Sequence, residues 1–384
     1  MQTASLENAR GRFLSIGLTV HDEEGGTQRY NRQLAAVLEE LSQTGMAESG
    51  AFVSLWDDTR HSRSSGRFSF TALGRQGRSM VGIRKVPSIM RGAAHLIGLR
   101  SRGRFPDLVV LTHVVAAPLA PLVKLLAPRS RVLLVLHGAE AWRHLPAASL
   151  PVLRRSVDRL VPVSTYTAGR FIEANRLDIP FTRIPCAVET RSPVVKRERV
   201  PGRIVTVARL RRADRDKNID LLISAMPIIG ARHQAAELFV IGEGNMRLDL
   251  QRLAESLGVG SRVHCLGWVT DDERDRLYAS SQLFALPSTR EGFGIAYLEA
   301  WLHGLPVIAG NAGAAPEVVR DGIDGLIVPP DQSLIANAVI RLLDDPGRCD
   351  NMGRAGAGRV LDVYGFDSFS RRWMSLLAAE LELR

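Results

Sequence analysis

The sequence predicts two α/β units, each a doubly wound, Rossmann-like parallel sheet, facing one another across a cleft. Three observations predict it. At 384 residues the chain exceeds the size of one ordinary domain. Strand-length apolar runs alternate with segments of helical pattern in both halves, as in a parallel sheet covered on both faces. The glycines, acids and bases of chemical interest fall in loops that follow such runs, where ligands bind in open parallel sheets.

In the first half, strands are read in "RFLSIGLTV", "GAFVSLWD", "PDLVVLTHV", "SRVLLVLHG" and "VDRLVPVS", with "QRYNRQLAAVLEELSQT" as the helix after the first. The most membrane-like run, "LVVLTHVVAAPLAPLVKLLA", carries His113, Lys124 and two prolines, so it divides into a buried strand, a turn and a helix and no spanning segment is expected. Apolar periodicity stops in "CAVETRSPVVKRERVPG", which sets the seam at Pro193 to Pro201. The second half repeats the pattern in "GRIVTVARL", "AELFVIGEG", "SRVHCLGWV", "SQLFALPS", "LPVIAGN" and "DGLIVPP". After these comes an amphipathic segment, "FDSFSRRWMSLLAAELELR". The expected organisation is a first unit over 1–195, a second over 196–364, and a terminal helix, 365–384, packing back toward the first.

A composition of 45% hydrophobic and 23% charged residues is that of a soluble α/β protein and excludes disorder and solenoid repeats. Three scattered cysteines, Cys186, Cys265 and Cys349, match neither a disulfide framework nor a zinc site. The start "MQTASLENARGRFLSIGLTV" lacks the basic opening, long apolar centre and cleavage site of a signal peptide, so a cytoplasmic protein is expected.

The net charge of +10 is unevenly placed. Residues 201–384 carry 21 Lys plus Arg against 24 Asp plus Glu, a net of −3; residues 1–200 carry 29 against 16, a net of +13. Between Asp58 and Asp107 there is no acid, while Arg60, Arg63, Arg67, Arg75, Arg78, Arg84, Lys85, Arg91, Arg100, Arg102 and Arg104 fall there. A solvated basic face is one reading. A nucleic-acid surface would call for more aromatic interleaving than Phe68 and Phe70 provide, and no nucleic-acid partner is expected. The favoured reading is an anionic membrane surface met by Arg60–Arg104, with Met80, Val81, Ile83, Ile89, Met90, Leu96 and Ile97 supplying apolar contact.

Five stretches carry candidate chemistry. In "HDEEGGTQRY" Gly25 and Gly26 permit positive φ and close approach of a ligand to the backbone, with Gln28 on the helix that follows. "VLHGAEAW" sets His137 at a strand end, where it can donate or accept a hydrogen bond to a sugar hydroxyl. In "VARLRRADRDKNIDLL", Arg209 and Lys217 converge on a helix start, an arrangement suited to a diphosphate. The "DRD" of Asp214 to Asp216 resembles a metal-holding triplet, but Arg215 and Lys217 already supply positive charge there, and no metal is expected. "VIGEGNMR" provides Gly242 and Gly244 against a base or ribose; Arg247 replaces the third glycine of a dinucleotide loop. The fifth, "STREGFGIAYLEAWLHGLPVIAGNAG", holds two acids in an apolar setting. Glu291 lies at a helix entrance with the amides of Gly292, Phe293 and Gly294, and Glu299 lies inside the helix, where a ribose diol would satisfy it.

The pattern acid, seven residues, acid in "EGFGIAYLEA", followed by "GLPVIAGNAGAAPEVV", resembles the retaining glycosyltransferase family 4, of the two-Rossmann-domain (GT-B) type, and the resemblance covers nearly the whole chain. It implies that Glu291 and His137 contact the donor sugar, that Glu299 binds the nucleotide ribose, that Arg209 and Lys217 bind the diphosphate, and that "GGTQRY" lies beside phosphate and acceptor. Within the family, "VLHGAEAW" and the long "RLRRADRDK" loop look most like bacterial exopolysaccharide and O-antigen mannosyltransferases. The expectation is a hexosyltransferase moving mannose from GDP-mannose to a polyprenyl-diphosphate-linked saccharide, peripheral on the inner face of the cell membrane; the alternative within the family is a hexosyltransferase with a UDP-sugar donor and a soluble acceptor. No cofactor is called for beyond the substrates. A glycosidase needs two carboxylates about 5 to 9.5 Å apart across the scissile bond, which two acids of one element serve poorly. A sugar-nucleotide epimerase and a non-catalytic sugar-nucleotide binder are the other classes.

Overall fold

The computed structural model describes residues 11–23, 25–74, 86–189 and 198–383. The chain divides into two compact units, Met1–Ala187 with Phe366–Arg384, and Val188–Gly365. Residues 193–197 of the sequence-read seam lie outside the described residues, as does the basic segment 75–85 with Arg75, Arg78, Met80, Val81, Ile83, Arg84 and Lys85.

Among the described residues the first unit holds seven strands: β1 (Arg12–Gly17), β2 (Ser49–Ser54), β3 (Arg63–Ser65), β4 (Phe68–Ala72), β5 (Leu108–Leu111), β6 (Arg131–Leu136) and β7 (Arg159–Pro162). Their order in the sheet is β3-β4-β2-β1-β5-β6-β7, parallel throughout except for the antiparallel β3–β4 edge. β5 is buried along its whole length and β6 beyond Arg131, as continuous apolar runs demand. β3 and β4 were not expected. Their residues lie in the basic span, where Phe68 and Phe70 alternate with half-exposed Ser69 and Thr71; both rings are core, and Phe70 stacks on Phe52 at 5.9 Å. Of the apolar residues read as membrane-facing, Leu96 is buried in the core of this unit and Ile89 packs against it, because both lie on the inner side of the helix Val86–Ser101.

The helix Phe366–Glu382 belongs to the first unit. Phe369 meets Tyr30 of the helix Gly26–Gln43 edge-on at 5.0 Å. Glu380, fully buried, accepts from Arg131 at the start of β6 (2.6 Å) and from Arg159 at the start of β7. Arg131 also reaches Asp158, which pairs with Lys124.

The second unit holds β8 (Arg203–Val207), β9 (Glu237–Ile241), β10 (Val263–Gly267), β11 (Leu283–Leu286), β12 (Val307–Gly310) and β13 (Gly325–Val328), the six runs read from the sequence. All are parallel, in the order β10-β9-β8-β11-β12-β13. Both sheets therefore turn outward in two directions from their first strand. The reversal falls between β1 and β5 in one and between β8 and β11 in the other, and loops diverge there to leave a crevice at the carboxyl ends of the strands.

Candidate active site

In the second unit the loops after β8 and β11 flank that reversal, and they are tied to one another. Thr289 N–H donates to the Asp216 carbonyl at 2.8 Å, and Asn218 Nδ2 donates to the Pro287 carbonyl at 2.7 Å. The tie brings Lys217 Nζ to 2.5 Å from Glu291 Oε1, with side-chain exposures of 17% and 9%. The sequence assigned these two residues to different parts of a ligand; the fold pairs them. Arg209 is 66% exposed and reaches Asp214 at 2.9 Å, while Asp216 faces Arg290 at 3.4 Å. Both acids of the "DRD" triplet thus already have cationic partners. Among the described residues no group of three His, Cys, Asp or Glu is placed to hold a metal ion.

Glu291 is fixed from behind as well. Its carbonyl accepts from Ala314 N–H at 2.8 Å, and a Cβ on Gly313, at φ +68°, would stand 2.7 Å from the Glu291 backbone. Gly294, at φ +98°, opens the helix Ile295–Leu302, and a Cβ there would strike the Tyr297 ring at 2.4 Å. Gly292 is half-buried between them. Phe293 is buried edge-on against Tyr364 at 5.6 Å, so its ring is packing and only its backbone is left for a ligand. Glu299 is half-buried one turn into the helix, 3.3 Å from the hydroxyl of the buried Tyr278. Gly242 and Gly244 follow β9, and a Cβ on either would lie 1.8 or 2.0 Å from the carbonyl of Ala208 or Leu210. What approaches these glycines is the loop after β8 itself, the loop that carries Arg209.

In the first unit the loop after β1 runs into the helix Gly26–Gln43. Gly25 has φ 163°, extended backbone open to any residue, so positive φ is not what selects glycine there. Gln28 donates to Thr19 Oγ1 at 2.7 Å. His137, just past β6, lies 2.8 Å through Nε2 from the Thr112 carbonyl, so Nε2 carries the hydrogen and the neutral ring keeps a lone pair on Nδ1. Burial pushes its pKa below the ordinary histidine value, against the pull of Glu140. Three further residues were not read from the sequence. Glu140 accepts from the amides of both His137 and Gly138 at 2.9 Å; Arg290 stands beside Glu291; and Asp57 holds the loop after β1. Asp57 is an acid past the end of a strand, a signal of the same kind that singled out Glu291.

The profile described as "Glycosyl transferases group 1" matches residues 195–359. A Mycobacterium tuberculosis protein named GDP-mannose-dependent alpha-(1-6)-phosphatidylinositol monomannoside mannosyltransferase is 36% identical over 301 residues, covering 71% of this chain and 77% of the relative. The chain belongs to the group 1 glycosyltransferases, the family-4 type with two parallel-sheet α/β domains. The Mycolicibacterium smegmatis protein of the same name is 34% identical over 72% of this chain and 78% of its own, and one from Corynebacterium glutamicum, named for a monoacylated acceptor, is 32% identical over 69% and 75%. Among solved structures, a sucrose-phosphate synthase from Thermosynechococcus elongatus has the same fold at TM-score 0.76 and 19% identity, covering 98% of this chain and all of that one. Anabaena HepE follows at 0.72 and 17%, covering 96% and all of its chain. The glycosyltransferase assignment excludes the glycosidase and epimerase readings.

Proposed function

We propose that this glycosyltransferase moves mannose from GDP-mannose, with retention of configuration, to a mannosylated phosphatidylinositol. The observation that carries the reading is identity of one third over more than two thirds of the chain to enzymes named for that donor and acceptor, in a chain whose second unit joins Lys217 to Glu291 beside the β8–β11 reversal. These relatives' names carry a phosphatidylinositol acceptor and not a polyprenyl diphosphate, so the acceptor expected from sequence gives way to a phosphoinositide.

In this reading Glu299 takes the ribose diol, Arg209 and Lys217 face the diphosphate, and Glu291 holds a sugar hydroxyl through a charge-assisted bond. The bond from C1 of mannose to the phosphate oxygen breaks, the acceptor hydroxyl attacks C1 on the same face, and its proton passes to the departing phosphate. Arg209 and Lys217 stabilise the charge that develops on the diphosphate as fixed groups needing no reorganisation. His137, neutral with a free Nδ1, accepts from a sugar hydroxyl. The first unit supplies the acceptor side through Gly25, Gly26 and Gln28, and the enzyme works at an anionic membrane surface.

The test is a donor panel of GDP-mannose, UDP-glucose and UDP-galactose against dispersed phosphatidylinositol monomannoside and, separately, a polyprenyl-diphosphate-linked sugar, with product linkage determined by NMR. Transfer from GDP-mannose to the phosphoinositide is the expected result. Transfer only to the polyprenyl acceptor would restore the original expectation, and transfer only from a UDP-sugar would remove the donor assignment.

A further inference from the structure

Asp57, three residues beyond the end of β2, is fully buried. Its carboxylate accepts from three successive amides of the loop after β1: Val20 N at 2.8 Å, His21 N at 3.2 Å from both oxygens, and Asp22 N at 3.0 Å. Consecutive N–H groups converging in this way form the concavity in which chains bind external anions. Here the chain fills it with its own carboxylate. The clasp is reciprocal, since Asp22 Oδ2 accepts from Asp58 N at 2.7 Å and Oδ1 lies 3.0 Å from His61 Nε2, whose ring stacks on His21 at 5.1 Å. Ser54 adds a link, accepting from Asp57 N and donating to the Leu18 carbonyl. Two loops following adjacent strands are thereby joined through charge-assisted bonds at their base, just ahead of Gly25 and Gly26.

We infer that Asp57, with Asp22, is the positioning element that sets residues 20–23, ahead of Gly25 and Gly26, in their acceptor-binding conformation before any substrate arrives. The inference rests on the reading above that this loop meets the acceptor. Two features separate it from plain core stability. The three bonds all go to the loop and none to a strand or helix interior, and a buried carboxylate without them would be strongly disfavoured, so the loop conformation and the charge are mutually dependent. An asparagine at 57 keeps the shape but turns an N–H₂ toward amide donors, loosening the loop while leaving the sheet intact.

The experiment uses the full chain with GDP-mannose and dispersed phosphatidylinositol monomannoside. For Asp57→Asn, hydrogen exchange should accelerate at the amides of 18–26, acceptor kcat/KM should fall at least tenfold, chiefly through KM, and GDP affinity by calorimetry should stay within twofold. Unchanged exchange at 18–26 overturns the proposal. So does a fall in kcat alone at wild-type acceptor KM, which is what loss of folded protein would give. Gly25→Val tests the underlying reading separately, because φ there admits valine and the nearest atom its Cβ meets is the Gln28 side-chain oxygen at 2.7 Å, the far end of a flexible acceptor-side group. If Gly25→Val raises acceptor KM and Asp57→Asn does not, the positioning role fails while the reading stands; if Gly25→Val leaves acceptor KM unchanged, the reading itself fails. Should Asp57→Asn not fold, Asp22→Asn carries the same comparison through the return half of the clasp.

Discussion

Lys217 and Glu291 show how one contact changes the meaning of two residues. A lysine held 2.5 Å from a carboxylate on a neighbouring loop is already oriented, so in the proposed function little side-chain entropy is left to lose when a diphosphate arrives. Arg209, largely exposed and paired with Asp214 among the described residues, lacks that restraint. Replacing Lys217 or Arg209 with Ala should each lower kcat/KM at least tenfold, about 1.4 kcal/mol or more of transition-state stabilisation, while excess chelator leaves the wild type active. Chelator-sensitive activity restored by manganese would return the Asp214–Asp216 loop to consideration as a metal site. Glu299 is tested by binding alone: Glu299→Ala should weaken GDP by roughly 1.5 to 3 kcal/mol in calorimetry, the range for a hydrogen bond to a charged group, and unchanged affinity in a folded variant would detach it from the ribose. His137 adds a pH dependence. A histidine held below its ordinary value takes up its proton more readily in the unfolded chain, so its contribution to stability is full above about pH 6.5 and is lost as pH falls toward the depressed value. Melting temperatures between pH 7 and 5 should fall less steeply for His137→Gln than for the wild type; equal slopes would mean that the ring titrates normally.

At the scale of elements, the long uninterrupted apolar runs were legible because burial on both faces leaves no alternative pattern, and all six strands of the second unit and five of the first were read in place. The two that were missed are β3, a three-residue edge strand, and its inner neighbour β4; both are embedded in arginines, so charge masked a clear alternation at Phe68 and Phe70. The candidate site was legible where acids sit among apolar residues and opaque where a residue acts on backbone, as Asp57 and Glu140 do. Pairing was opaque as well. Nothing local to "RDK" or "REG" says that one loop's lysine meets the other loop's glutamate, because the tie runs through backbone carbonyls of Asp216 and Pro287. The terminal helix yields a prediction of its own. Glu380 is a fully buried acid between Arg131 and Arg159, and removing one member of such a group strands the others' charge. Glu380→Ala should cost about 3 to 5 kcal/mol, read as a large drop in denaturation midpoint; a cost below about 1 kcal/mol, the scale of an exposed ion pair, would mean that water reaches the arginines.

For the whole molecule, the division of charge at +13 and −3 has a structural counterpart on the first unit. The helix Val86–Ser101 buries Ser88, Gly92 and Leu96 and turns Val86, Met90 and Ile97 outward, exposed by 56, 65 and 52%. Their spacing of four and seven residues makes one stripe, and Arg100 and Arg102 are exposed at its end. No helix among the described residues is long and apolar enough to cross a membrane; in the proposed function, this exposed stripe is the surface that meets the lipid acceptor's leaflet. Arg91 is not part of it. Its guanidinium lies within 3.5 Å of the carbonyls of Leu55 and Gly74, which makes it a poor residue to replace in a test of membrane contact. The informative variant combines Val86→Ser, Met90→Ser and Ile97→Ser with Arg100→Gln and Arg102→Gln. Each cation near an anionic leaflet contributes ~1 kcal/mol, screened over a Debye length of about 8 to 10 Å, and the apolar stripe adds a part that salt does not weaken. Wild-type protein should co-sediment with vesicles containing phosphatidylinositol, partly released by high salt, and the five-site variant should stay in the supernatant at both salt concentrations. Equal sedimentation of the two proteins, or binding indifferent to anionic lipid, would remove this face from the membrane and leave the acceptor to be drawn from solution.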